Sequence, residues 1–124
     1  MIRYSRHDHW LDVATVWQSL GYTEPQQNKM TKWLLNQVPK KRYVAWAHDS
    51  HTRVRLLVPW VDILATVMWI GRAPPFHAPN ARKFAARIAK SVGAMAFPSS
   101  ELATDVAERH QRFNRAEYQR ILMA

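Results

Sequence analysis

The 124-residue chain contains no cysteine. That excludes disulfides, thiolate metal sites and a cysteine nucleophile, and it suits the reducing cytoplasm. Glycine is scarce, at three residues. Gly21, Gly71 and Gly93 stand apart as helix stops, so no glycine-rich loop is present to cradle a phosphate. Acids are few, nine against 18 Lys and Arg, and they are scattered with no paired carboxylates. Asp49-Ser50-His51 has the residue types of a catalytic triad, but neighbours in sequence do not assemble one. No enzyme activity and no cofactor are expected. A long apolar run is also lacking. The stretch from Leu56 to Ile70 is broken by Pro59 and Asp62 and is too short to span a bilayer. The first nine residues, Met1 to His9, are polar and charged and do not read as a signal peptide.

What the chain has is positive charge and aromatic mass. The net charge is +9, and 48% of residues are hydrophobic, with six tryptophans. That is material for one core in one domain, and some of the indoles must be buried in it. The charge excess attracts polyanions. Nucleic acid is the first expected partner and an acidic protein surface the second; charge kept for solubility alone is the plainer explanation.

Apolar spacing gives the elements. Asp12 is a candidate N-cap, and Val13, Val16, Trp17 and Leu20 fall on one helix face, stopped by Gly21. Thr23 and Gln26 have capping-box spacing, with Pro25 in the first turn. Met30, Trp33 and Leu34 continue that second helix, and Pro39 ends it. Residues 12–38 therefore have the shape of a helix-turn-helix or of a plain αα-hairpin. A β-hairpin follows, with Val44 and Trp46 on one strand and Val54, Leu56 and Val58 on the other making one buried face, and Arg53 and Arg55 outward. Pro59 opens a third helix that is apolar almost all round and central. Residues 72–79 form a stiff loop with three prolines. Asn80 caps a fourth helix, Ala81 to Val92, with Ala81, Phe84, Ala85, Ile88 and Val92 inward. After Pro98, Ser99 or Ser100 caps one last helix to about Leu122, marked by Leu102, Val106, Phe113 and Ile121. The fold class is α+β: a helix-turn-helix-like pair, a hairpin and three further helices in a single domain.

Two groups of side chains have the chemistry to meet nucleic acid. The first is the second helix and its exit: Gln26, Gln27 and Asn28 as base-edge donors and acceptors, with Lys29, Lys32, Lys40, Lys41 and Arg42 for phosphates. Arg53 and Arg55 extend it. The second is the outer face of the fourth helix, Arg82, Lys83, Arg87 and Lys90. Solvated helix faces explain either group equally well. His7-Asp8-His9 and the pair His48/His51 have metal-ligating types, but no cysteine and no helical His-x-x-x-His spacing supports a closed site, so no metal is expected.

The run from Trp10 to Pro25 resembles the opening motif of the BRO-N domain of phage antirepressors and baculovirus repeated-ORF proteins. Trp10, Val16, Leu20, Gly21, Tyr22 and Pro25 stand at matching spacing. Leu56-Leu57-Val58 with the helix around Leu64, and then Ala81, Phe84, Ile88 and Val92, resemble the next strand and helices. Asp62-Ile63-Leu64 stands in place of the family's Gly-Leu-Tyr signature, and Arg87 where tryptophan is common. KilA-N domains are similar as well. The resemblance covers residues 10–93 and implies a BRO-N-like α+β domain over 1–98. Residues 99–124 would then be a helix that packs on it or mediates a homodimer. It also implies binding to DNA or to a DNA-bound repressor, in a phage or prophage regulator. The alternative is a protein-binding inhibitor of a host nucleic-acid machine.

Overall fold

The structure, a computed structural model, describes residues 9–48, 51–70, 81–93 and 99–123, with backbone alone at 46–48 and 51–53. Asp12 closes the short strand β1 (Trp10–Asp12) and starts helix α1 (Val13–Ser19). Its carboxylate accepts the Ala14 N–H at 3.2 Å and the Thr15 hydroxyl at 3.1 Å, so the expected N-cap is made. Gly21 ends the helix at φ 82°, a conformation that favours glycine. Helix α2 (Glu24–Leu35) opens with the expected capping box. The Thr23 N–H donates to Gln26 Oε1 at 2.9 Å, and the Gln26 N–H to the Thr23 hydroxyl at 3.4 Å. The helix ends at Leu35, earlier than Pro39: the Asn36 and Gln37 N–H groups donate to carbonyls three residues back, at 3.1 and 2.9 Å, and Lys41 Nζ caps the Leu35 carbonyl at 2.9 Å.

Strands β2 (Arg42–His48) and β3 (His51–Pro59) form the expected hairpin, and β1 adds to the other side of β3, giving an antiparallel sheet of order β1-β3-β2. Sequence spacing does not reveal β1, since three residues are too few to show alternation. The register also corrects the expected hydrophobic face. Cross-strand partners share a face, and Val44 pairs with Arg55, Ala45 with Val54 and Tyr43 with Leu56. Val44 therefore lies with the arginines, opposite Val54, Leu56 and Val58. Only the root of that second face is covered: Val58 is buried, and Leu11 and Leu56 pack against the core.

Helix α3 (Trp60–Ile70) follows β3 without a break. Pro59 is the last strand residue, paired with Trp10, and the helix begins at Trp60. Every residue of α3 except Met68 is buried, as its all-round apolarity demands. Helix α4 (Ala81–Ser91) packs on it through Ala81, Ala85, Ile88 and Ala89. Helix α5 (Ser100–Arg112), capped by Ser99, packs along α3 as well. The expected single last helix is in fact two. Phe113 is extended (φ −68°, ψ 127°), and α6 (Arg115–Met123) turns back onto α2. Asn114 makes the corner: its side chain accepts the Glu117 N–H at 2.9 Å, its N–H donates to Gln37 Oε1 at 2.9 Å, and its carbonyl accepts Trp33 Nε1 at 3.1 Å. The expected Gly71 stop, the 72–79 loop, the Asn80 cap, Pro98 and the 49–50 turn lie outside the described residues. Among the described residues no helix is long and apolar enough to cross a membrane.

Two polar groups in this core generate predictions. Asp62, buried on α3, receives Arg109 Nε of α5 at 2.7 Å. Arg109→Met strands that carboxylate and is expected to cost about 2–3 kcal/mol, less than a fully buried pair because the guanidinium is partly solvated. Adding Asp62→Leu should recover most of the loss in denaturant unfolding. Burial, with Tyr118 beside it, pushes the Tyr22 phenol well above its ordinary pKa of 10.0. The phenol favours its neutral form in the folded state, so its contribution is intact below pH 10 and is lost as the unfolded chain ionises above it. Stability is expected to fall more steeply above about pH 10 in the native chain than in Tyr22→Phe.

Candidate nucleic-acid interface

The rotation of α2 decides which of its polar side chains face water. Met30, Trp33 and Leu34 are fully buried. Gln26 lies four residues before Met30 and Gln27 three before it, so both fall on the inward side. Gln26 closes the capping box, and Gln27 Nε2 donates to the Tyr22 carbonyl at 2.8 Å. Each amide thus has one end tied to the start of the helix, Gln26 through Oε1 and Gln27 through Nε2, and both side chains are half-buried. Asn28 and Lys32 are exposed on the outer face, and Lys29 is half-buried. Helical spacing alone could have separated these two sets.

Lys40, Lys41 and Arg42 are exposed where α2 gives way to the sheet. Lys41 is tied to the end of α2, where a cation also complements the helix dipole. The Arg42 guanidinium sits 4.2 Å from the Trp10 ring centroid, reaching across β3 from one edge strand to the other. Arg55 lies on the same sheet face, 3.8 Å from the Asp12 carboxylate. The structure therefore joins the basic exit of α2 to the sheet. The Arg53 side chain lies outside the described residues.

A groove of about 1240 Å³ opens between this sheet face and α5, a feature that sequence spacing does not foresee. Trp10, Pro59 and the Lys40–Arg42 run line one wall; Asp105, Glu108 and Arg112 line the other, with the Asp62–Arg109 pair. Its walls carry both signs of charge. No sequence signal points to it, because its walls come from segments some 60 residues apart.

The fourth helix carries the second basic group as expected. Arg82, Lys83, Arg87 and Lys90 are exposed, opposite the face that packs on α3. The segment Ala81–Ser91 contains no acid. Arg87 also leans over Phe84 at 5.8 Å. The stem of the helix is thus fixed while its four cations project into solvent.

Among the described residues no three His, Asp or Glu side chains come together as a metal site. His7, Asp8 and the imidazoles of His48 and His51 lie outside the described residues. No family model, curated protein or solved structure compared with the chain matches it.

The role of Gln26 is testable. Gln26→Ala removes one half of the capping box and is expected to lower stability by about 0.5–1 kcal/mol. It should leave affinity for duplex DNA unchanged in a fluorescence anisotropy titration.

Proposed function

We propose that this protein is a small non-catalytic regulator that works by binding DNA, in the manner of a phage or prophage antirepressor. One observation carries the reading: α4 is held on the buried helix α3 by its apolar face and presents Arg82, Lys83, Arg87 and Lys90 on the other, with no acid along its length. A rigid helix with cations on successive turns suits the regular spacing of phosphates. The +9 net charge supports the same partner class. So does the resemblance of residues 10–93 to BRO-N domains, which suits a cytoplasmic, DNA-associated setting. A DNA-bound repressor or a second copy of the chain would be a further partner in that setting.

A second reading rests on the groove beside α5. Acids and cations face each other across it, which suits a protein surface better than a polyanion. In that reading the protein blocks a host nucleic-acid machine by occupying one of its surfaces.

Anisotropy with random-sequence duplex DNA across a salt series separates the two. DNA binding is expected to weaken linearly in log–log form with salt. Charge reversal at Lys83 and Lys90 should reduce the slope by about 0.9 for each phosphate that is no longer neutralised. An unchanged slope would remove α4 from the interface. No binding at low salt, together with recovery of one stoichiometric host protein after nuclease treatment, would replace the first reading by the second.

A further inference from the structure

The hairpin leaves the body of the protein. Along one face of β3, Val58 is 0% exposed, Leu56 is partly buried and Val54 is 63% exposed. Across the ladder Tyr43 is 62% exposed, and Val44, on the opposite face, is 42% exposed. Large apolar side chains are thus in water on both faces of the ribbon at the same register. Among the described residues no helix covers either face there. Two strands without a packed face are marginal on their own, so an apolar ribbon in solvent is a surface made for a partner.

Charge identifies that partner. Strands β2 and β3, Arg42–His48 and His51–Pro59, contain Arg42, Arg53 and Arg55 and no acid, against the single Asp49 between them in sequence. Val44 is in register with Arg55 and two residues from Arg42, so all three share one sheet face. β2 is an edge strand, and its outward N–H groups are further donors for phosphate oxygens. A two-stranded ribbon fits the major groove of B-DNA, roughly 12 Å wide. The α2 amides Gln26 and Gln27 each have one end tied to the start of their own helix.

We infer that the β2–β3 ribbon enters the major groove of duplex DNA with its Arg42, Val44 and Arg55 face toward the bases. This rests on the DNA-binding reading above and assigns the reading element within it. Arg42, on leaving the Trp10 ring, and Arg55, whose contact with Asp12 is a loose 3.8 Å, supply guanidinium donors suited to guanine edges, and the Val44 methyls suit a thymine methyl. The α4 face then holds phosphates without reading sequence. The A-form major groove of duplex RNA is too deep and narrow for side chains to read, so the ribbon discriminates between the two duplexes.

The test compares Val44→Glu with Val54→Glu in the full chain. Both sites are exposed and the two variants carry the same change in net charge, while unfolding in denaturant gives the stability lost at each site, so the remaining difference in binding reports the face. Duplex DNA affinity is expected to fall about tenfold further for Val44→Glu than for Val54→Glu. Duplex RNA of equal length should bind more weakly than DNA, and guanine N7 in bound DNA should be protected from methylation. Val44→Thr, which keeps the shape and the strand preference, should show a smaller loss in the same direction. Equal losses for the two glutamate variants, or equal affinity for RNA, would overturn the inference while leaving DNA binding by α4 intact. A wild-type dimer that Val44→Glu converts to monomer, with DNA affinity unchanged, would overturn it too and give the ribbon to a second copy of the chain. If the wild-type chain fails to bind duplex DNA at low salt, the functional reading falls first and this assignment with it.

Discussion

The stack of Trp33 on Trp69 ties α2 to α3 and, through its neighbours, to the corner between α5 and α6. The two rings lie 5.0 Å apart and nearly parallel, with Phe113 and Tyr118 set edge-on to both. Such pairs contribute about 0.5–1.5 kcal/mol each beyond the area they bury. The cluster also has a directional element, because Trp33 Nε1 must find an acceptor once buried and finds the Asn114 carbonyl. That bond holds the chain at the corner between α5 and α6 and returns α6 to α2. It also sets the rotation of α2 about its own axis. The inward Gln26 and Gln27 and the outward Asn28 and Lys32 are consequences of where Trp33 points.

A second constraint acts two turns earlier along the same face of α3. A helix buried nearly all round has no room for an unpartnered charge, yet it carries Asp62. The carboxylate is tolerable because Arg109 meets it at 2.7 Å, and one residue on, the His110 ring N–H meets the Ala65 carbonyl at 2.8 Å. These two bonds seat α5 along α3 at a fixed register. The groove beside the sheet exists because α5 is held there, with its far edge standing opposite Trp10 and Lys40–Arg42.

The parts legible in the sequence are those governed by local rules. Asp12, the Thr23–Gln26 box, Gly21 and Ser99 each act within a few residues of themselves, and each is where the spacing places it. The apolar completeness of α3 announces its burial, and the inner face of α4 is readable from Ala81, Ala85 and Ile88. What stays hidden depends on partners distant in sequence. The break at Phe113 needs Trp33 and Gln37, some 80 residues away, and the run from Ser100 to Met123 is otherwise a continuous helical pattern. The hairpin register depends on the turn, and alternation within each strand cannot say which residue of one faces which of the other. Alternation alone therefore puts Val44 on the wrong side.

The distribution of acids draws these levels together. A net charge of +9 works against a compact state through self-repulsion, so the few carboxylates have most effect where they hold the fold. The structure uses them so. Asp12 caps α1, Glu24, Glu101 and Glu117 stand in the first turns of α2, α5 and α6, and Asp62 locks α3 to α5. Glu117 also accepts from Asn36 at 2.7 Å, joining α6 to the end of α2. At helix starts a carboxylate meets unsatisfied N–H groups and the positive end of the dipole, so its charge is engaged locally. None lies along β2, β3 or α4. These five acids sit at structural joints, Asp105 and Glu108 line the groove, and the cations of α4 stand on an open face, which largely separates what stabilises the protein from the basic face it offers a partner. A sequence with the same composition but its acids spread over the surface would be as soluble and would lose both basic faces.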